Sequence, residues 1–403
     1  MELILLGTAA PEGLPRPGCP CAVCSAVCSG AGQGARAATS VLVDGVLLLD
    51  PPPAGKTPVG KDPVGGAGRL LDGVRHLLYS RPAPVGGPRP GPSAAVELPT
   101  GEERLLGGHR VRAVAVDVPG TGFEITDGEG TRLLYLPPGA SAVDPCAERP
   151  YDTVLLDVLG RPEALARLRE TGAVGPGTDV LAVHLDHRVP PGRELHRRLA
   201  AAGARTLPDG GTVRVGERRP VPVPRRTLVL GGARSGKSAE AERRLAAFPG
   251  VLYVATGGRR DGDAEWEERI ALHRARRPAS WRTAETCDLE PLLAEDGPPL
   301  LIDCLALWMT AVLDECGAWD EAAWRHGGRD LARKRVASLV AAWRSTRRTV
   351  VAVSNEVGSG VVPATASGRR FRDELGRLNA AIAQESEEVL LVVAGQVLPL
   401  RSL

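Results

Sequence analysis

Beyond residue 226 the apolar positions fall into two kinds of block. TLVL (227–230), VLYVAT (251–256), PLLIDC (299–304), TVVAVSN (349–355) and EVLLVVAG (388–395) are continuous apolar runs, several of them rich in β-branched residues. SAEAERRLAAF (238–248), AEWEERIALHRA (264–275), LARKRVASLVAAWR (331–344) and a segment around 367–387 instead read as helices. Continuous runs predict strands buried on both faces, and the alternation of the two patterns predicts a parallel sheet covered by helices. Ligands of such sheets sit at the C-terminal ends of the strands.

The first half of the chain has shorter runs and more turns. LILLG near the start is followed by TSVLVDGVLLLD (39–50), a hairpin turning at Asp44-Gly45. HRVRAVAVDV, GFEIT and RLLYLP come next, and DTVLLD (152–157) and DVLAVHL (179–185) each pair with a predicted helix. This is a mixed α/β layer pattern. Between the halves lies GERRPVPVPRR (216–226), whose three prolines enforce extended backbone. The expected division is a domain over 1–215, a linker over 216–225 and a second domain over 226–403. Pro/Gly-rich stretches at 51–68 and 82–93 read as long loops of the first domain.

A length of 403 residues fits two or three domains. A net charge of +2 supplies no excess of cations for a phosphate backbone, which argues against nucleic acid as the main partner. No stretch approaches the ~20 apolar residues of a membrane span. MELILLGTAAPEG reads as a first strand and turn, not a secretory signal. The expected location is the cytoplasm, where the eight cysteines stay reduced and clustered ones suggest metal. Lysine is scarce: Lys56, Lys61, Lys237 and Lys334 are all there are.

One of those four closes Gly231-Gly232-Ala233-Arg234-Ser235-Gly236-Lys237-Ser238, a GxxxxGK[ST] sequence between a predicted strand and a predicted helix. Glycines let backbone N–H groups close around phosphate oxygens, and the helix N-terminus adds partial positive charge. Lys237 is placed to reach the β/γ-phosphates and Ser238 to ligate Mg²⁺. Asp303 ends the strand PLLID, where an acid either holds Mg²⁺ or caps the following helix. His273 lies among Arg269, Arg274, Arg276 and Arg277. Neighbouring cations favour its neutral form, which suits a nucleophile, although an incidental histidine on a solvated helix face fits the same pattern.

Residues 226–403 resemble the bifunctional adenosylcobinamide kinase / adenosylcobinamide-phosphate guanylyltransferase family. The resemblance runs through GGARSGKS, LYVAT, ERIALHRARRP with Trp281 and Thr283-Ala284-Glu285, and LLIDCLALWMT. It continues through Ser354-Asn355-Glu356-Val357-Gly358, RFRDELGRLN and VLLVVAG. It implies phosphorylation of adenosylcobinamide with ATP or GTP, then transfer of GMP from GTP through a GMP-histidine intermediate, in cobalamin biosynthesis. It places the nucleophile on His273 and nucleotide contacts on Gly231–Ser238, Ala255, Thr256, Gly257, Arg274, Arg277, Glu285 and Asp303. Catalytic Lys237, Mg²⁺ held by Ser238 and Asp303, and a trimeric homo-oligomer also follow from it.

Residues 1–215 resemble the metallo-β-lactamase fold, an αββα sandwich, and the second domain a P-loop (RecA-like) three-layer fold. The metal-binding signature of the first fold is missing. Where HxHxDH is expected stands Tyr79-Ser80-Arg81-Pro82-Ala83-Pro84, followed by Val85-Gly86-Gly87. Pro137-Pro138 replaces the bridging acid and Asp117 the middle histidine, leaving His184 and His187, which read as surviving ligands or as an ordinary polar loop. A catalytic Zn²⁺ needs about three protein ligands, so no hydrolase activity is expected. Cys19, Cys21, Cys24 and Cys28 form a candidate structural Zn²⁺ site, or a plain group of reduced cysteines. Cys146, Cys287, Cys304 and Cys316 read as packing residues.

Overall fold

The structure, a computed structural model, describes residues 1–30, 34–52, 70–82, 94–145, 149–217, 221–257, 268, 271, 274 and 277–402. Cys146 and His273 lie outside the described residues, as do Ala83–Gly87 and all but three positions of the helix expected over 264–275. The chain divides into two compact units, Met1–Val223 and Pro224–Leu403. That boundary lies within the expected linker but later than residue 215. Val221 and Val223 stay with the first unit because they lie against Gly203.

The first unit holds β1 (Glu2–Gly7), β2 (Ser40–Val43), β3 (Leu47–Leu49), β4 (His76–Leu78), β5 (Ala94–Ala95), β6 (Glu103–Leu106), β7 (His109–Val114), β8 (Gly122–Thr126), β9 (Arg132–Tyr135), β10 (Thr153–Leu156), β11 (Asp179–Ala182) and β12 (Gly211–Arg214). They form two six-stranded sheets, ordered β12-β1-β2-β3-β4-β5 and β11-β10-β9-β8-β7-β6. The expected hairpin closes with Val41 opposite Leu49 and Val43 opposite Leu47. Alternate residues of the two sheets meet in one core: Leu3, Leu5, Val41, Leu47 and Leu49 from one, Val111, Phe123, Ile125, Leu133 and Leu155 from the other. Strand periodicity then puts Leu42, Leu48, Leu134 and Val154 on the outer faces, and these are buried as well. Burial on both faces is the signature of an αββα sandwich, whose outer layers need helices such as Pro162–Glu170 and Arg193–Ala201.

The second unit holds β13 (Arg226–Gly231), β14 (Leu252–Ala255), β15 (Arg282–Glu285), β16 (Leu300–Asp303), β17 (Val350–Asn355), β18 (Glu388–Val393) and β19 (Gln396–Ser402). The sheet order is β15-β14-β16-β17-β13-β18-β19. All pairings are parallel except β18 with β19. Helices Lys237–Leu245, Leu305–Glu315, Arg329–Ser345 and Ala366–Gln384 complete the layers. Each expected strand is found within two residues of its sequence position. The elements not expected include β15, the helix Leu305–Glu315, apolar nearly all round, and β19, whose pairing is irregular beside Pro399. Among the described residues no helix is long and apolar enough to cross a membrane.

Candidate functional site

The parallel register brings the ends of β13, β14, β15, β16 and β17 to one edge of the second sheet. Gly231 pairs with Asn355, and Ala255 pairs with both Glu285 and Asp303. This edge is where the sequence predicts ligands.

The loop after β13 is shaped by glycine at two positions. A Cβ on Gly231 would lie 2.4 Å from Ser235 Oγ and 2.7 Å from the Val392 carbonyl, so only glycine lets the chain turn there. Gly236 sits at φ 99° immediately before the helix Lys237–Leu245, a conformation that other residues rarely adopt. Gly232, Ala233 and Arg234 are exposed, so the turn is open on its outer side. Lys237 is buried, and its Nζ donates to the Gly232 carbonyl at 3.0 Å, which holds the ammonium across the mouth of the loop. Ser235 Oγ is buried without a hydrogen-bond partner. Ser238 is half-buried in the first turn of the helix.

Asp303 ends β16, half-buried, and its Oδ2 accepts a hydrogen bond from the Tyr253 hydroxyl at 2.9 Å. Thr256, expected among the nucleotide contacts, lies beside Asp303. It is buried, its hydroxyl donates to the Cys304 carbonyl at 2.6 Å, and the same oxygen accepts from the Cys304 N–H at 3.0 Å. The hydroxyl is thus taken up in fixing the backbone next to Asp303. Ala255 and Gly257 flank it, both half-buried.

Over β15 lies the arginine segment. Arg274 pairs with Glu285 at 3.5 Å, and Arg277 Nη1 donates to Thr283 Oγ1 at 3.2 Å. Arg277 also stacks on Tyr253, with its guanidinium carbon 3.7 Å from the ring centroid. Two contacts of matched spacing therefore fasten residues 274 and 277 to the sheet edge. On the other side of β16, Asn379 holds the NEVG turn: Ser354 Oγ donates to Asn379 Oδ1 at 2.6 Å and Asn379 Nδ2 donates to the Asn355 carbonyl at 3.0 Å.

The first unit has a cleft of about 340 Å³ where the resemblance puts a metal centre. Pro11, Thr39, Asp50, Pro51, Pro52, Tyr79, Arg81, Pro82 and His184 border it. His184 is buried at φ 58°, and its Nε2–H donates to the Leu136 carbonyl at 3.0 Å. Burial pushes its pKa down to about 4, so the ring is neutral. Asp50 accepts from the Ser80 N–H at 2.7 Å, the Ser80 hydroxyl at 2.5 Å and the Tyr135 hydroxyl at 2.6 Å. Asp117 is taken up by Arg161.

His187 is not part of that cleft. Its Nδ1 lies 3.3 Å from Cys21 Sγ and 3.6 Å from Cys19 Sγ. Cys19, Cys21, Cys24 and His187 form a group with all ligand atoms within 4.8 Å of one another. Cys28, at the exposed end of the helix Ala22–Cys28, lies outside this group, which corrects its expected place in it; His187, open to reading as a surviving ligand or as ordinary polar loop, takes that place. A histidine 159 positions beyond Cys28 gives no sequence signal of joining the cluster; its place beside two thiols is visible only in the fold.

A glycine-rich loop opening a helix, an acid at a neighbouring strand end and a parallel sheet define the second unit as a P-loop nucleotide-binding fold. Residues 227–400 match the family model described as cobinamide kinase / cobinamide phosphate guanyltransferase. The bifunctional adenosylcobalamin biosynthesis protein CobP of Pseudomonas aeruginosa is 45% identical over 186 residues, covering 44% of this chain and 97% of that protein. The bifunctional adenosylcobalamin biosynthesis protein CobU of Salmonella typhimurium is 40% identical over 178 residues, 42% of this chain and 95% of that one. The chain belongs to the cobinamide kinase / cobinamide phosphate guanyltransferase family. Zn²⁺-bound PqqB from Methylobacterium extorquens shares 19% identity over 53% of this chain and all of its own, with a TM-score of 0.35. The metallo-β-lactamase fold protein YhfI from Bacillus subtilis shares 12% identity at a TM-score of 0.31, covering 53% of this chain and 99% of its own.

Proposed function

We propose that the second unit phosphorylates adenosylcobinamide with ATP or GTP and then transfers GMP from GTP to the product, with His273 as the relay. The observation that carries this is the meeting, at one sheet edge, of the Gly231–Ser238 loop, Asp303 and the anchored arginines 274 and 277. Gly231–Ser238 encloses the phosphates with its backbone N–H groups, and Lys237 carries the charge that builds up on the leaving oxygens. Ser235 Oγ, buried without a partner, gains one when a phosphate oxygen enters. Ser238 and Asp303 are the residues that would hold Mg²⁺, which supplies charge neutralisation on the triphosphate. Arg274 and Arg277 fix the segment that bears His273. The imidazole attacks the α-phosphorus, a nitrogen–phosphorus bond forms, and the bond to pyrophosphate breaks. The cobinamide phosphate then displaces the histidine. Dividing the transfer avoids bringing two anions together in one step. A trimeric assembly belongs to the same reading, and the molar mass in solution tests it.

The test is incubation with α-labelled GTP and Mg²⁺ followed by a denaturing gel. Wild type is expected to carry an acid-labile, base-stable label that His273→Ala lacks. No label and no pyrophosphate release from wild type would sink guanylyl transfer and leave a kinase.

For the first unit we infer a structural Zn²⁺ at Cys19, Cys21, Cys24 and His187. Bond lengths of a tetrahedral Cys₃His site require sulfur–nitrogen separations of about 3.6 Å, and the observed ones are 3.3 and 3.6 Å. Backbone N–H groups of Arg16 and Cys24 already donate to Cys24 Sγ and Cys21 Sγ. The bond from Cys24 and the contact with His187 bring the Cys21 pKa down to about 6, favouring the thiolate a metal needs. Among the described residues, the 340 Å³ cleft shows no comparable donor set.

A further inference from the structure

Tyr253 lies inside the strand run VLYVAT, where its pattern says no more than buried strand. We propose that it is a positioning residue for the transfer reaction, joining the arginine segment to the acid at the end of β16. This rests on the reading of Asp303 as the Mg²⁺-facing acid.

Three observations place it so. Tyr253 pairs across the sheet with Thr283 on one side and Leu301 on the other, two residues before Ala255 meets Asp303. Side chains two apart on a strand share a face, so the phenol reaches diagonally to the carboxylate. Its hydroxyl donates to Asp303 Oδ2 at 2.9 Å. Its ring face carries the Arg277 guanidinium at 3.7 Å, and Arg277 is steadied by Thr283, the residue directly opposite Tyr253.

These contacts do more than fill the core. Phenylalanine would pack in the same place and carry the same arginine. The hydroxyl adds what phenylalanine lacks, a donor held against Asp303 Oδ2. It fixes one carboxylate oxygen, orienting the other edge of the group, as the partners of metal-binding carboxylates commonly do. The ring meanwhile supplies a flat platform on which the Arg277 guanidinium keeps its place. One side chain thus sets the positions of a group that meets the metal and of a group that meets the nucleotide.

The two functions separate by substitution. In the full chain, binding of a fluorescent GTP analogue with an α,β-methylene bridge is titrated with Mg²⁺, alongside thermal melting. Tyr253→Phe is expected to raise the Mg²⁺ concentration at half-saturation about tenfold. Its affinity at saturating Mg²⁺ and its melting temperature should stay those of wild type. Tyr253→Leu is expected to weaken the analogue ~2–30-fold even at saturating Mg²⁺, the range set by loss of a cation–π contact. Tyr253→Phe with wild-type Mg²⁺ dependence overturns the inference. So does a loss in both variants that follows the melting temperature and no Mg²⁺ concentration restores, which would make the residue merely structural. If wild type itself binds the analogue without any response to Mg²⁺, the reading of Asp303 fails and takes this inference with it.

Discussion

Each half of the chain presents a site at strand ends, and the two are equipped in opposite ways. In the first unit the cleft turns its polar groups on one another. Asp50 is saturated by Ser80 and Tyr135, His184 is spent on a backbone carbonyl, and Asp117 is paired with Arg161. In the second unit the loop backbone at 232–234 is exposed and Ser235 Oγ is buried without a partner. Buried polar groups are nearly always satisfied, so an orphan beside an open loop marks a place that a ligand completes. The shared feature is the scaffold: Asp50 and His184 in one, Arg234 in the other, are non-glycine residues held at positive φ.

The largest effect expected from breaking this comparison lies at the thiol cluster. The protein should retain about one Zn²⁺ per chain through dialysis against a weak chelator. Cys21→Ser should retain none, while Cys28→Ser should behave as wild type. Structural zinc contributes on the order of 10 kcal/mol in small domains. The first unit should therefore melt at a lower temperature in Cys21→Ser, with guanylylation of the second unit still measurable. Metal content by mass spectrometry decides it. Equal losses in the two variants would restore Cys28 to the site.

Next in size is Lys237→Ala. Removing a charge that meets the transition state costs about 10²–10³ in rate. The labelling rate with α-labelled GTP should fall by that factor. Zinc content, set in the other unit, should not change. A rate within a few-fold of wild type would mean that the ammonium stays on the Gly232 carbonyl and never meets the phosphates.

How much of this was legible beforehand differs between the halves for a physical reason. The P-loop unit is built of contiguous signals. A strand, a turn and a helix N-terminus lie within twenty residues, so GGARSGKS and the strand ends at Asp303 and Asn355 could be placed from sequence alone. The helix Leu305–Glu315 escaped because it is apolar on nearly every face and shows no period. β19 escaped because Pro399 reads as a break, although an edge strand tolerates proline. In the first unit the chemistry is assembled from distant segments. Four cysteines in one stretch imply a self-contained site, yet on the helix Ala22–Cys28 the last of them points to solvent. His187 arrives from the loop after β11. Tyr253 was hidden for the opposite reason: its role depends on a side chain in the adjacent strand, which strand patterns do not report.

The smallest effect, and the one that sharpens the comparison most, is expected at Asp50. Three donors converge on its two oxygens: one N–H and two hydroxyls. Asparagine tolerates the same left-handed backbone, so Asp50→Asn leaves φ 45° unstrained. It offers one acceptor oxygen where the carboxylate offers two. Whichever way the amide turns, at least one buried donor loses its partner, and the fully buried Tyr135 hydroxyl has little room to find another. That costs about 1–3 kcal/mol. A lower midpoint in urea for the first unit is therefore expected, with an unchanged denaturant slope. Labelling of His273 by GTP should be the same as in wild type. If guanylyl transfer fell while stability held, the cleft would be a working part of the enzyme and its closed hydrogen bonds a resting state.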